Sequence, residues 1–105
     1  MRAPQHLRPA TRRWWRSVLD GFELEEHHRK LLTLAAQAWD RAEQARVILA
    51  EKGLTYEDRF KQPRARPELA VERDSRIAFA RLMRELALDV EPPREWLGRP
   101  PTIGR

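Results

Sequence analysis

Two groups of positive side chains gather along this sequence with few acids beside them. Arg12, Arg13 and Arg16 follow Arg2 and Arg8, and Asp20 is the only acid among the first twenty residues. Arg59, Lys61, Arg64 and Arg66 form a second run with no acid inside it. Such densities suit one chemistry, charge-assisted contact with phosphate oxygens, in which affinity comes largely from release of counterions. Trp14 and Trp15 sit among the first group, so it reads as a basic arm with aromatics, as on surfaces that meet a nucleic-acid backbone. A plainer reading stands beside each. Burial of a large aromatic is strongly favourable, so the tryptophans are expected to dock on the rest of the fold. The first group's arginines could then be merely solvated, and the second group a solvated loop next to Glu57 and Asp58.

Other chemistry finds less support. Glu25 and His28 have the Glu-x-x-His spacing used in carboxylate-bridged metal bundles. Such sites need matching ligands from other helices, and the only other histidines are the adjacent His27 and His6 near the N-terminus. No metal and no cofactor is expected. There is no Gly-rich phosphate loop, no His/Cys cluster and no nucleophile beside a base at a recognisable spacing, so the chain reads as a non-enzyme.

These residues must be positioned by helices. The organising element is a long helix over residues 21–52, opened by a capping box of Asp20 and Glu23 and closed by a left-handed cap at Gly53. At about 1.5 Å per residue it is roughly 45–50 Å long. Leu24, His28, Leu31, Ala35, Ala38, Ala42, Ala45 and Leu49 alternate in steps of four and three, a seam for a partner helix. The middle of the seam is alanine, so the partner can come close. A second helix over 67–88, opened by Pro67 and Glu68, offers Val71, Ser75, Ala78, Phe79, Leu82, Met83 and Leu86 for antiparallel packing. Leu32 and Trp39 form a strip beside the seam, and Ile77 and Ala80 lie off the face of the second helix. These four residues are the expected contacts between subunits.

Before this hairpin comes a loose tail over 1–10, then a short helix over 12–19 capped by Thr11. The short helix, the Asp20-Gly21 turn and the long helix resemble a helix-turn-helix. Glu23, Glu25 and Glu26 on the first turns of the second member would repel phosphates, which argues against that use. Residues 53–66 form a long connector, which Tyr56 and Phe60 are expected to pin to the helices. After residue 88 comes a tail over 89–105 with Pro92, Pro93, Pro100 and Pro101 and one apolar handle, Trp96 and Leu97.

The bounds agree with this scheme. A chain of 105 residues makes one small domain, with 35% charged residues and a thin core. The absence of cysteine fits a reducing cytoplasm. No apolar run approaches the roughly 20 residues that a membrane span needs. Net charge is +5 and the pI is about 10.6, which permits an acidic partner such as DNA.

Several stretches then resemble the small terminase subunits of tailed phages. They are Ala45-Arg46-Val47-Ile48-Leu49-Ala50-Glu51-Lys52-Gly53-Leu54, the basic connector, Arg66-Pro67-Glu68-Leu69-Ala70-Val71, and Arg84-Glu85-Leu86-Ala87-Leu88-Asp89 before a proline segment. The resemblance covers roughly residues 23–93. It implies a non-catalytic protein in the host cytoplasm that assembles into a ring of many copies. It also implies recognition of double-stranded viral DNA at the packaging site and regulation of the large terminase subunit, which holds the ATPase and nuclease. The expected fold is all-α: an antiparallel helical hairpin with a short N-terminal helix and a Pro-rich tail, assembled as a ring-like homo-oligomer. The DNA-contacting residues would be Arg59, Lys61, Arg64, Arg66, Arg12, Arg13 and Arg16. The other reading of the same residues is a helical protein-binding adaptor without DNA binding.

Overall fold

The computed structural model describes residues 2–88 and 90–93. Most of the proline-rich tail, with Trp96 and Leu97, lies outside the described residues. Three helices carry the fold: α1 (Pro9–Gly21), α2 (Glu26–Lys52) and α3 (Pro67–Leu86), with a two-stranded antiparallel sheet, β1 (Thr55–Glu57) and β2 (Pro63–Ala65), between α2 and α3.

The expected capping box at Asp20 does not form. Asp20 lies inside α1, and α2 starts at Glu26. The reason is the alternation Phe22-Glu23-Leu24-Glu25. Phe22 and Leu24 pack against the core while Glu23 and Glu25 face solvent, a period of two that only extended backbone satisfies. At the other end of α2 the expected glycine is used, but differently. Gly53 has φ 86° and ψ 178°, and its N–H donates to the Leu49 carbonyl at 2.8 Å. The positive φ favours glycine, and the extended ψ sends the chain straight into β1 instead of through a left-handed turn.

α2 and α3 pack as the antiparallel hairpin. Trp39 lies against Phe79, ring centroids 5.1 Å apart, while Ala42 and Arg46 line a groove with Glu72 and Arg76. The alanine seam is the contact: Ala35, Ala38, Ala42 and Ala45 are all buried, as is Ser75 of α3. Small residues on both sides give little apolar area, so this half of the molecule is held by close approach rather than by bulk.

The bulk sits at the other end. Ala3, Leu7, Trp14, Trp15, Val18, Leu32, Ala36 and Leu86 form the core cluster, with Phe79 and Met83 packed against it. The expected loose tail is therefore not loose: Ala3 and Leu7 are each 2% exposed. Leu32 is fully enclosed, a burial of about 1.5–3 kcal/mol. As expected, the tryptophans are buried. Trp15 Nε1 donates to Thr33 Oγ1 at 3.0 Å, and Trp14 Nε1 donates to the Glu91 carbonyl at 2.7 Å. The second bond ties residues 90–93 back onto α1. Bonds from α1 reach Thr33, in the first half of α2, and Asp40 at its middle, whereas the β-hairpin emerges from the C-terminal end of the long helix.

Candidate nucleic-acid interface

The second basic group lies on the β-hairpin. Thr55 pairs with Ala65, Tyr56 with Arg64 and Glu57 with Pro63. Asp58 organises the turn. Its Oδ1 accepts from the backbone N–H of Phe60 at 2.8 Å and of Gln62 at 3.0 Å, and its Oδ2 accepts from Arg64 Nε at 2.9 Å. Its carbonyl accepts from the Lys61 N–H at 2.9 Å, with Lys61 in a left-handed conformation at φ 62°. These donors, first the Gln62 N–H and then the Arg64 guanidinium, hold the Asp58 carboxyl below the usual carboxylate range.

The four cations of this group have different duties. Arg66 is half-buried; its Nη2 donates to the Lys52 carbonyl at 3.2 Å and its N–H to the Leu54 carbonyl at 3.0 Å. Its guanidinium lies 5.9 Å from the Tyr56 ring centroid. Arg66 thus fastens the base of the hairpin to the end of α2. Arg64 is tied to Asp58 across the turn. Arg59 and Lys61 remain at the tip, exposed, with no ion pair to an acid among the described residues. Phe60 stands between them and is 67% exposed, with the Arg59 guanidinium 4.9 Å from its ring centroid. Tyr56 is 41% exposed. Neither aromatic pins the connector to the helices; the hydrogen-bonded ladder and the Asp58 turn already hold it.

The first basic group divides in the same way. Arg12 Nη1 donates to the carbonyls of Leu7 and Gln5, at 2.5 and 3.3 Å, and so braces the N-terminal segment. Arg13 and Arg16 are exposed on the outer face of α1. This group lies on α1 and the second on the hairpin, so the fold keeps the two apart rather than merging them.

A family model described as phage terminase, small subunit, matches residues 12–92. The chain belongs to that family. Among curated proteins and among solved structures, nothing matches. The family match on this terminase small subunit runs from α1 through the β-hairpin and α3 to the segment that Trp14 holds, so it takes in both basic groups.

The residues expected between subunits fare unequally. Leu32 is 0% exposed, covered by its own chain, and offers nothing to a second copy. The physical reason is α1, whose tryptophans and Val18 occupy the strip that the helical hairpin alone leaves bare. Trp39 is half-buried against Phe79. Ile77, 46% exposed, and Ala80 do face outward on α3. At the start of α2, Glu25, His27 and His28 bring ligand atoms within 4.8 Å of one another, on a mostly exposed surface, and among the described residues no ligand from another helix joins them.

Sequence reading missed the hairpin itself and the outward Phe60. Its signals were local and faint: a β-prone Thr55-Tyr56, an aspartate able to accept from the N–H groups two and four residues on, and Pro63 on an edge strand.

Proposed function

We propose that this terminase small subunit recognises double-stranded viral DNA through the β-hairpin, as a non-catalytic component of genome packaging in the host cytoplasm. It acts there with the large terminase ATPase/nuclease. The observation that carries this reading is the Arg59-Phe60-Lys61 tip. It is a braced two-stranded ribbon, an element that DNA-binding proteins place in the major or the minor groove, with two unneutralised cations at its end. Assembly into a homo-oligomeric ring would repeat the tip around an axis and multiply a +5 chain into a strong field. Ile77, Ala80 and part of Trp39 are the subunit contacts of that ring; Leu32 is not among them. Arg13 and Arg16 are a secondary phosphate-contacting surface.

A protein-only adaptor is the second reading. What favours it is that Arg12, Arg64 and Arg66 serve the fold itself. Salt separates the two. DNA binding should weaken along a log–log line with salt, and Arg59→Ala with Lys61→Ala should flatten that slope by roughly 0.9 for each phosphate no longer neutralised. Arg13→Ala with Arg16→Ala should change it less. If the wild-type protein shows no salt-dependent binding to duplex DNA, the adaptor reading replaces this one.

A further inference from the structure

Phe60 has no role in the fold. It is the most exposed of the large hydrophobic side chains among the described residues, at 67%, and it lies outside the core cluster. Any polar residue could fill a solvated turn there at less cost. Yet the turn that carries it is tightly hydrogen-bonded. The Phe60 N–H is bound to Asp58 Oδ1 at 2.8 Å, the next residue is fixed in the left-handed region, and the Gln62 N–H closes on the same carboxylate oxygen. The backbone that carries the ring is therefore fixed, and the side chain leaves it toward solvent. Arg59 stands at its face and Lys61 follows it, while the turn's aspartate is satisfied inward by backbone donors and by Arg64.

An apolar ring projecting from a braced turn at the end of a narrow ribbon, with a cation before it and after it in sequence, fits a base step. We propose that Phe60 is a wedge: the hairpin tip enters the minor groove of duplex DNA and Phe60 inserts partway between two stacked base pairs. Arg59 and Lys61 engage the phosphates on either side. Inserted apolar side chains unstack a step and kink the duplex, and the bend brings more backbone against the protein. Pre-organisation by Asp58 reduces the ordering cost of the tip on binding. Pyrimidine–purine steps, the easiest to unstack, are the preferred points of entry. The inference rests on the DNA-binding reading and adds to it an uncharged contact and a bend.

The test uses the full-length protein in its native assembly and 30-bp duplexes labelled at both ends, with or without a central TA step. Affinity is followed by anisotropy across a salt series and bending by energy transfer between the ends. Wild type should bend the duplex and favour the TA step. Phe60→Ala should lose the bend and about tenfold in affinity, as expected when an aromatic side chain no longer stacks on a base. Its salt slope should be unchanged, because no charge is removed, and its melting temperature should match wild type, because the ring supports nothing. Phe60→Leu should keep part of the bend. Phe60→Ala binding and bending like wild type overturns the wedge and leaves DNA recognition by the cations standing. If that variant keeps DNA behaviour but loses association with the large subunit, the tip is a protein contact and the wedge is likewise overturned. Absence of any salt-dependent binding by wild type removes the reading beneath it as well.

Discussion

The Thr11 hydroxyl donates to Asp40 Oδ1 at 2.5 Å, joining the first turn of α1 to the middle of α2. The same carboxylate accepts the Arg8 backbone N–H and the Arg8 Nε, each at 2.9 Å. Helix α1 has no acid in its first turn and no side-chain cap of its own. Asp40 supplies both from another helix, placing a negative charge where the α1 dipole is positive and satisfying a donor that is otherwise orphaned. This one carboxylate thus adds a polar tether to the apolar contacts of Trp14, Trp15 and Val18 that dock α1 over Leu32.

Asp40→Ala should therefore cost about 2–3 kcal/mol, since it leaves the buried Thr11 hydroxyl without its acceptor and removes the ion pair with Arg8. Chemical denaturation measures the loss, and near-UV circular dichroism should report loosened packing of Trp14 and Trp15. Unchanged stability would mean that the core holds α1 without the carboxylate.

The alanine seam gives a second expectation. Ala42 is 5% exposed on the seam between α2 and α3, and Ala42→Leu should overpack the contact by about 1–3 kcal/mol. A thermal melt at wild-type temperature would show that the helices can part there without cost.

Acid should act on the hairpin through Asp58. Its carboxyl is held below the ordinary value of about 3.9 by the Gln62 N–H and then by Arg64. The ionised form thus favours the folded turn. That stabilisation is fully present above the ordinary value and is lost as pH falls through the lowered one. Amide NMR signals of Phe60 and Gln62 should stay dispersed from pH 7 down to 5 and collapse only in stronger acid. In Asp58→Ala they should be collapsed already at neutral pH while the helices persist.

Ala87 ends α3 in the left-handed region, at φ 56° and ψ 33°, with its N–H on the Met83 carbonyl at 3.1 Å. A side chain carries a steric cost there that glycine avoids. Ala87→Gly should stabilise the protein by about 0.5–1 kcal/mol despite the added freedom of the unfolded chain. A lower denaturation midpoint in that variant would contradict the cap geometry.

The proposed ring is tested at Ile77. Ile77→Glu places a charge on an outward position without touching the core, so light scattering should register smaller particles than wild type at unchanged helicity. Trp39→Glu is a poorer probe, because Trp39 also packs on Phe79 within the chain. Particles of wild-type size in Ile77→Glu would move the contact elsewhere.

By itself the sequence determined the helical hairpin, the close alanine contact between its arms, the end of the first arm at Gly53 and the start of the second at Pro67. It also determined the two separate concentrations of positive charge. Each is written in neighbours along the chain: a repeat of three and four, a residue without a Cβ, a ring without an N–H. Only the tertiary structure decided which of those charges are free. Arg12, Arg64 and Arg66 are consumed by carbonyls and a carboxylate that the fold brings to them. It also decided that α1 covers Leu32, and that the N-terminal segment docks on Asp40 from 29 and 32 residues away. The β-hairpin escaped sequence reading because strands of three residues are too short to show a period of two, and their stability comes from pairing across the turn. Local pattern sets which elements form, whereas partners distant in sequence are chosen by which surfaces must be covered once those elements meet.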